Sequence, residues 1–294
     1  MERNACFSGL AMLPKQMRAN ILDRQLFQRG EKILVGVSGG GDSMVLLHAL
    51  NSLAAEMKWE LTIAHLNHLL RGRSSNADAR FVEMRSRELG VRFCGAVADV
   101  QSISRRNGIS LEMAGRQARH DFFKQVSLEN GCVSIALAHH ADDQVELFFL
   151  RLLRGSGEGL GGMHWIAALP NHPSLRLVRP LLNLPKAVLQ EYAIGMGISF
   201  RKDGSNVDLD FQRNRIRHEL LPLLRRKYQA GLDSVVARTM EILSAEADCV
   251  GAIARHWMKA QVRSAFDSLP VAVQRRALQS QLIAAGVIPD FAQV

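Results

Sequence analysis

Residues 32–43, Lys32-Ile-Leu-Val-Gly-Val-Ser-Gly-Gly-Gly-Asp-Ser43, decide how this chain folds. Ile33–Val37 is a short apolar run with β-branched residues, so it reads as a buried strand. Ser38–Ser43 then supplies three consecutive glycines between two hydroxyls. Val45, Leu46, Ala49, Leu50 and Leu53 follow at helical spacing. The order is strand, Gly-rich turn, helix. Glycines let the backbone approach an anion, and a helix N-terminus offers unpaired N–H groups and the positive end of its dipole. With Ser38 and Ser43 as further donors, the expected ligand is a phosphate chain. No G-x-x-x-x-G-K-[ST] occurs, so this is not the Walker loop. Asp42 stands just ahead of Ser43, where the Walker pattern has its lysine.

Working outward, strands and helices alternate. A lead-in helix is predicted over residues 15–29. Leu61–Leu66 reads as a second strand, with His65-Leu-Asn-His-Leu-Leu-Arg71-Gly-Arg73 at its C-terminal end. Ser74 is placed to cap a helix carrying Ala77, Phe81 and Met84, and Ser110 one carrying Leu111, Ala114, Ala118 and Phe122. Val91–Val97 and Val133–Ala138 read as strands three and four, and Asp142–Arg154 as a helix. This alternation predicts the α/β class: a parallel, doubly wound sheet covered on both faces. Ligands of such sheets sit at the strands' C-terminal ends, which puts Ser38–Ser43, His65–Arg73 and His139–Asp143 on one rim. Residues 157–162 match G-x-G-x-x-G but follow a helix instead of a strand, so they read as a loop. Leu175–Val178 is a further predicted strand and Pro185–Met196 a helix. The stretch from Arg201 to Tyr228 is rich in basic residues, and beyond Gly231 the composition turns to Ala, Val, Arg and Glu at helical spacing. Two domains are expected, residues 1–229 and a small helical one at 230–294.

Composition narrows the function classes. The 294 residues carry a net charge of +9, which calls for an anionic partner, nucleic acid first. Four scattered cysteines without a C-x-x-C argue against a zinc knuckle or an iron–sulfur cluster and suit a reducing, cytoplasmic setting. Residues 5–13 are mostly apolar, but Glu2 and the lack of a small-residue cleavage site speak against secretion. No run reaches the ~18 apolar residues of a membrane span.

Three clusters carry candidate chemistry. His139-His-Ala-Asp142-Asp143-Gln-Val-Glu146 opens a helix on the rim; its acids at i,i+3 and i,i+4 share a face. Acids in a first turn also serve as caps and complement the dipole. On the rim they suit Mg²⁺ or an ammonium group. Glu112-Met-Ala-Gly-Arg116-Gln-Ala-Arg119 sets two arginines on one helix face, either solvated or clamping phosphate oxygens. Arg213-Asn-Arg215-Ile-Arg217-His218 offers the same choice, with RNA as a further anion. His65 and His68, flanking Asn67, read as structural sooner than catalytic.

Taken together, Val37–Ser43, His65–Arg73, Glu112–Arg119, Ala138–Gly155 with its HHADD and RLLRGSG, Arg179-Pro-Leu-Leu182 and Asp203-Gly-Ser-Asn206 through His218 resemble the tRNA(Ile)-lysidine synthetase family. The likeness spans residues 30–224, and 232–286 resembles the family's next helical domain. His120 stands where the family usually has Tyr, and many relatives continue into a further C-terminal domain. The resemblance implies the PP-loop ATP pyrophosphatase (adenine nucleotide alpha hydrolase-like) fold. It implies a cytoplasmic ligase that joins free lysine to the wobble cytidine of an isoleucine tRNA with a CAU anticodon, using ATP and Mg²⁺. Ser38, Gly39, Gly40, Gly41, Asp42 and Ser43 would hold the nucleotide's phosphates. Asp42, Arg116, Arg119 and Arg215 would be catalytic. Asp142, Asp143, Glu146 and Glu112 would bind lysine or Mg²⁺, and Asp42 with Asp143 would be the metal ligands. Arg71, Arg73, Arg213 and Arg217 would contact tRNA. A homodimer is compatible with these features. A tRNA thiolase would need sulfur-handling cysteines, a small-molecule amidating ligase would not need so basic a chain, and a non-catalytic RNA-binding module would need neither Asp42 nor the acidic cluster.

Overall fold

The computed structural model describes residues 3–70, 73–155, 157–201 and 212–287. Arg71, the side chains of Arg73 and Ser74, and Asp203–Asn206 lie outside the described residues. The chain forms two compact units, Met1–Gln144 with His164–Leu209, and Val145–Met163 with Asp210–Val294.

The first unit is built on a six-stranded sheet in the order β3-β2-β1-β4-β6-β5. β1 (Lys32–Gly36) pairs in parallel with β2 (Glu60–Asn67) on one side and β4 (Ser134–Ala136) on the other. β3 (Arg92–Val97) extends the sheet beyond β2, and β6 (His172–Val178) beyond β4. The outermost strand, β5 (Ile166–Leu169), is antiparallel to β6 and was not expected. It forms a hairpin whose turn holds Asn171 at φ 62°, a left-handed conformation that Asn tolerates.

The sheet is wound on both faces because its side chains alternate. Ile33 and Val35 of β1 join one buried cluster and Leu34 the other; Ile63 and Ala64 of β2, and Ala136 and Ile135 of β4, divide the same way. The first cluster is closed by α1 (Arg3–Asp23), α2 (Gly41–Met57) and α7 (Lys186–Gly195) through Leu13, Met17, Leu46, Leu50 and Leu189. The second is closed by α5 (Leu111–Asn130) through Phe122, Phe123 and Val126. The lead-in helix ends at Asp23, earlier than residue 29, because Leu26 and Phe27 drop into the first cluster. Ser110 caps α5 as expected, its Oγ accepting from Met113 N at 3.2 Å. α3 (Arg73–Glu88) covers β2 and β3. The short α4 (Val100–Asn107) was missed; it is set by the Asp99 cap accepting from Ser102 N at 3.0 Å.

The second unit does not follow the boundary expected at 229/230. α6 (Ala141–Leu153) leaves the first unit after Gln144, and its Val145 and Leu150 share a core with Ile216, Leu221, Val236 and Met240. Those residues come from a π-helical turn (Ile216–Leu220) flanked by α8 (Gln212–Arg215) and α9 (Leu221–Lys227), and from α10 (Leu232–Lys259). The glycine-rich stretch is a tight helical turn, Gly157–Gly161, packed on α10. A Cβ at Gly161 would stand 3.0 Å from the Ser244 Cα, so only glycine permits this approach. α11 (Val271–Ala284) packs Val273 and Ala277 against Ala254 of α10.

Candidate functional site

Chain order reverses direction in the sheet at β1, where β2 and β3 lie to one side and β4 to the other. A crevice at the C-terminal ends of the strands is expected at such a point. The loops entering it are Val37–Gly40 after β1 and Leu137–His140 after β4.

The Gly-rich loop is braced by its own hydroxyls. Ser43 Oγ donates to Gly40 O at 2.9 Å, and Ser38 N donates to Ser43 Oγ at 3.2 Å. The Ser38 and Ser43 hydroxyls lie 3.1 Å apart. Gly39 adopts φ 92°, a left-handed value that strains any other L-residue, and its carbonyl accepts from Arg201 N at 2.9 Å. Gly40 is the N-cap of α2 and supplies no side-chain cap. The first N–H groups of a helix have no intrahelical partner, so this terminus is left open to an anion. His65 holds the loop's entry: its Nδ1 donates to Val37 O at 2.8 Å. A carbonyl only accepts, so this bond fixes the proton on Nδ1 and leaves Nε2, buried and without a hydrogen bond, as the bare nitrogen. Burial also pushes the His65 pKa down, with Val37 and Asp78 opposing. His65 thus braces the loop as a neutral ring.

Around the buried His140 stand three carboxylates: Asp42 at 3.5 Å and Asp143 at 3.5 Å from Nε2, and Asp142 at 3.7 Å from Nδ1. Burial alone would lower the His140 pKa, but Asp42, Asp143 and Asp142 outweigh it and the net shift is upward. Burial likewise raises Asp42, yet His140 and Lys186 prevail and hold its carboxyl below the usual range. The other two acids are also bonded locally. Asp143 Oδ2 accepts from His140 N at 3.1 Å, and Asp142 Oδ2 accepts from Lys186 N at 2.8 Å, at the start of α7. Lys186 Nζ lies 3.5 Å from Asp42 Oδ2. Sequence reasoning brought Asp42, Asp142 and Asp143 to one rim; it passed over Lys186 and gave His140 no role.

A second group is cationic. Arg116 and Arg119 stand on the first turns of α5, with no ion pair among the described residues, and Arg179 follows β6, buried, its guanidinium donating to His164 O at 2.7 Å. Burial, then the Arg116 charge, pushes the Arg179 pKa down to about 10. Arg119, exposed but walled by protein, is lowered by the same two causes. His68 falls to about 4 through burial, Arg119 and His65; His120 falls to about 4 through burial, Arg116 and Arg119. These arginines form a cationic group with no ion pair to a carboxylate among the described residues. The sequence singled out Arg116 and Arg119, while Arg179 was visible only as part of an Arg-Pro-Leu-Leu stretch.

These histidines set a pH dependence. Both folded pKa values lie below the ordinary 6.5, so the unfolded chain takes up protons that the folded one refuses, and stability falls as pH drops from 6.5 toward 4. Replacing His120 with Tyr removes one such group. The variant's melting temperature is expected to exceed that of the parent near pH 4.5 by more than it does at pH 8. A constant difference across this range would remove His120 from the account.

In the second unit Glu146 is buried, and Arg213 Nε at 2.9 Å and Arg217 NH2 at 2.8 Å both donate to its Oε2. This carboxylate is neutralised, so holding a substrate ammonium would mean breaking these bonds. Arg215 and Glu112 are exposed and make no ion pair among the described residues. A cavity of about 350 Å³, between Glu31, Val133 and Arg176, opens at the strands' N-terminal ends. Among the described residues no three His, Cys, Asp or Glu side chains are gathered to hold a metal ion.

Known proteins resemble this chain in sequence and in fold. The chain is 42% identical over 230 residues to a tRNA(Ile)-lysidine synthase of Geobacter sulfurreducens, covering 78% of this chain and 48% of that one. To the enzyme of that name from Geobacillus kaustophilus it is 34% identical, covering 95% of this chain and 62% of that one. The chain thus spans about half to two thirds of the length of these curated relatives. A solved U34-tRNA thiolase from Methanococcus maripaludis superposes with a TM-score of 0.64 at 18% identity, over 81% of this chain and 80% of that one, a likeness of fold alone. Residues 13–224 match the model of the PP-loop domain, and on that match, with the Gly loop at the switch point of its sheet, the chain belongs to the PP-loop family.

Proposed function

We propose that this chain carries the ATP-dependent ligation of free lysine to the wobble cytidine of a CAU-anticodon isoleucine tRNA. The observation that carries the reading is the uncapped, hydroxyl-braced Gly loop at the switch point, set in a chain whose curated relatives bear the lysidine synthase name. In this reading the cytidine carbonyl oxygen attacks the α-phosphate of ATP and pyrophosphate leaves. The lysine ε-amine then attacks the activated ring carbon, the carbon–oxygen bond breaks, and AMP departs with that oxygen.

The loop's N–H groups and hydroxyls would hold the leaving pyrophosphate. Mg²⁺, held by Asp42 with Asp143 as the second carboxylate, would supply charge neutralisation on the phosphates when bound. Arg116 and Arg119 would stabilise charge developing on the α-phosphate. Asp142 and Asp143, with Glu112, are the acids assigned to lysine; Glu146 enters only if its two arginines let go. The net charge of +9 suits an RNA backbone, with Arg71 and Arg73 as contacts and with Arg213 and Arg217 reaching it only beyond their bonds to Glu146. Arg215 is assigned to the chemistry: Arg215→Ala is expected to lower kcat about 10²-fold at saturating tRNA. An unchanged kcat with a raised KM for tRNA would reassign it to RNA binding.

The deciding experiment follows AMP release from α-labelled ATP in the presence of pyrophosphatase. Release that requires both tRNA and lysine supports the reading. AMP formed without lysine, or not at all with both present, rejects it.

A further inference from the structure

The Gly loop presents a physical difficulty. A phosphate chain binds where a helix N-terminus and a nearby cation attract it, and the Walker loop carries that cation as its own lysine. Here the corresponding position is Asp42, whose carboxylate repels phosphate unless a cation stands between the two. The remaining acids of the crevice, Asp142 and Asp143, add to that repulsion, and His140 faces all three of them.

We propose that Lys186, arriving from α7, is the phosphate-binding cation of this loop. Its Nζ already lies 3.5 Å from Asp42 Oδ2, in the first turn of the helix that the loop opens. Its backbone N–H donates to Asp142 Oδ2 at 2.8 Å, so the start of α7 is held against the first turn of α6. The side chain is half-exposed, which leaves it free to turn toward solvent or ligand. An ammonium has three donors, so Nζ can keep Asp42 and still offer an N–H to a phosphate oxygen. Asp42 then orients the lysine, and Asp142 is a positioning residue acting through a main-chain bond. The charge that a Walker loop carries within its own sequence is here delivered from residues 144 positions away.

This inference rests on the loop's binding a phosphate chain, and its test needs neither tRNA nor lysine. Pyrophosphate with Mg²⁺ is titrated by calorimetry into the full chain, into Lys186→Met and into Lys186→Arg. Lys186→Met is expected to weaken pyrophosphate at least about 10-fold, and Lys186→Arg to restore most of that loss, because a charged hydrogen bond is exchanged for another of the same sign. Because Asp142 holds the backbone of residue 186, both variants are expected to melt with the parent. Parent-like pyrophosphate affinity in Lys186→Met would overturn the proposal. So would an equal loss in both variants accompanied by a lower melting temperature, which would mark Lys186 as a strut for α7. Lysidine formation is scored separately: if the parent makes none, yet its pyrophosphate binding depends on Lys186, the functional reading fails and this inference stands.

Discussion

Gly40→Val is expected to leave the chain folded and to remove its affinity for ATP and pyrophosphate. Gly40 adopts φ −75° and ψ 161°, values open to any L-residue. A Cβ there meets only the Ser38 Oγ, at 3.4 Å, so the backbone has no steric reason to move. The same change one residue earlier would confuse the result. Gly39 sits at φ 92° and its Cβ would stand 3.2 Å from Val82, so strain and binding would fall together. At Gly40 the effect comes from position alone. A branched side chain at the N-cap stands over the open N–H groups of α2, and a phosphate can no longer reach them. Each hydrogen bond to a charged group contributes about 1.5–3 kcal/mol. Losing two costs roughly 3–6 kcal/mol, about 10²–10⁴-fold in affinity. Calorimetry with ATP is the measurement, beside a melting curve expected to move by no more than about 4 °C. Parent-like affinity would mean that phosphate does not bind at this loop.

Arg116→Ala is expected to raise the stability of the free protein slightly and to reduce turnover by about 10²–10³-fold. The two effects have one origin. Arg116 has no ion pair among the described residues, and its charge lowers the pKa values of Arg119, Arg179 and His120. Removing it relieves like-charge repulsion. Arg116 is exposed and solvent screens it, so the gain is small, at most about 2 °C in Tm. The His120 pKa is then expected to rise from about 4, which NMR titration of the ring protons reads directly. In the proposed function the expected loss of turnover is the larger effect, because a developing phosphate charge would lose one of its fixed donors. A residue that merely solvates a helix face would give neither effect. A destabilised variant with normal kcat would place Arg116 among structural residues.

The sequence determined by itself what depends on local spacing. The apolar run Ile33–Val37, the glycines at 39–41 and the apolar stripe from Val45 onward admit one local geometry, strand, turn and helix, whatever surrounds them. Repeating that alternation four times implied a parallel sheet, and the rule for ligands of such sheets placed the loop, Asp142 and Asp143 on one rim. The Ser110 cap was legible for the same reason, since a cap is a matter of three residues. β5 was not legible: an edge strand of four residues pairs on one side only, and its pattern is too short to stand apart from the turn at Asn171.

Tertiary structure alone decided which charges meet. Glu146 shares α6 with Asp142 and Asp143, and its spacing put all three on one face. Its partners are nevertheless Arg213 and Arg217, about 70 residues further on, because Val145 and Leu150 bury the back half of that helix in a different core. The same cause moved the domain boundary, since a hydrophobic core is assembled from faces and takes no account of where composition changes along the chain. Lys186 and Arg179 were likewise silent in sequence. Nothing in Leu-Pro-Lys186 marks its lysine as different from the other exposed cations, and an arginine at a strand's end is ordinary. Their surroundings come from the tertiary fold. Packing of α7 on α2 sets Lys186 beside Asp42, and Arg179 is buried without a carboxylate among the described residues. Coulomb interactions at 3–4 Å depend on distances that no local pattern encodes.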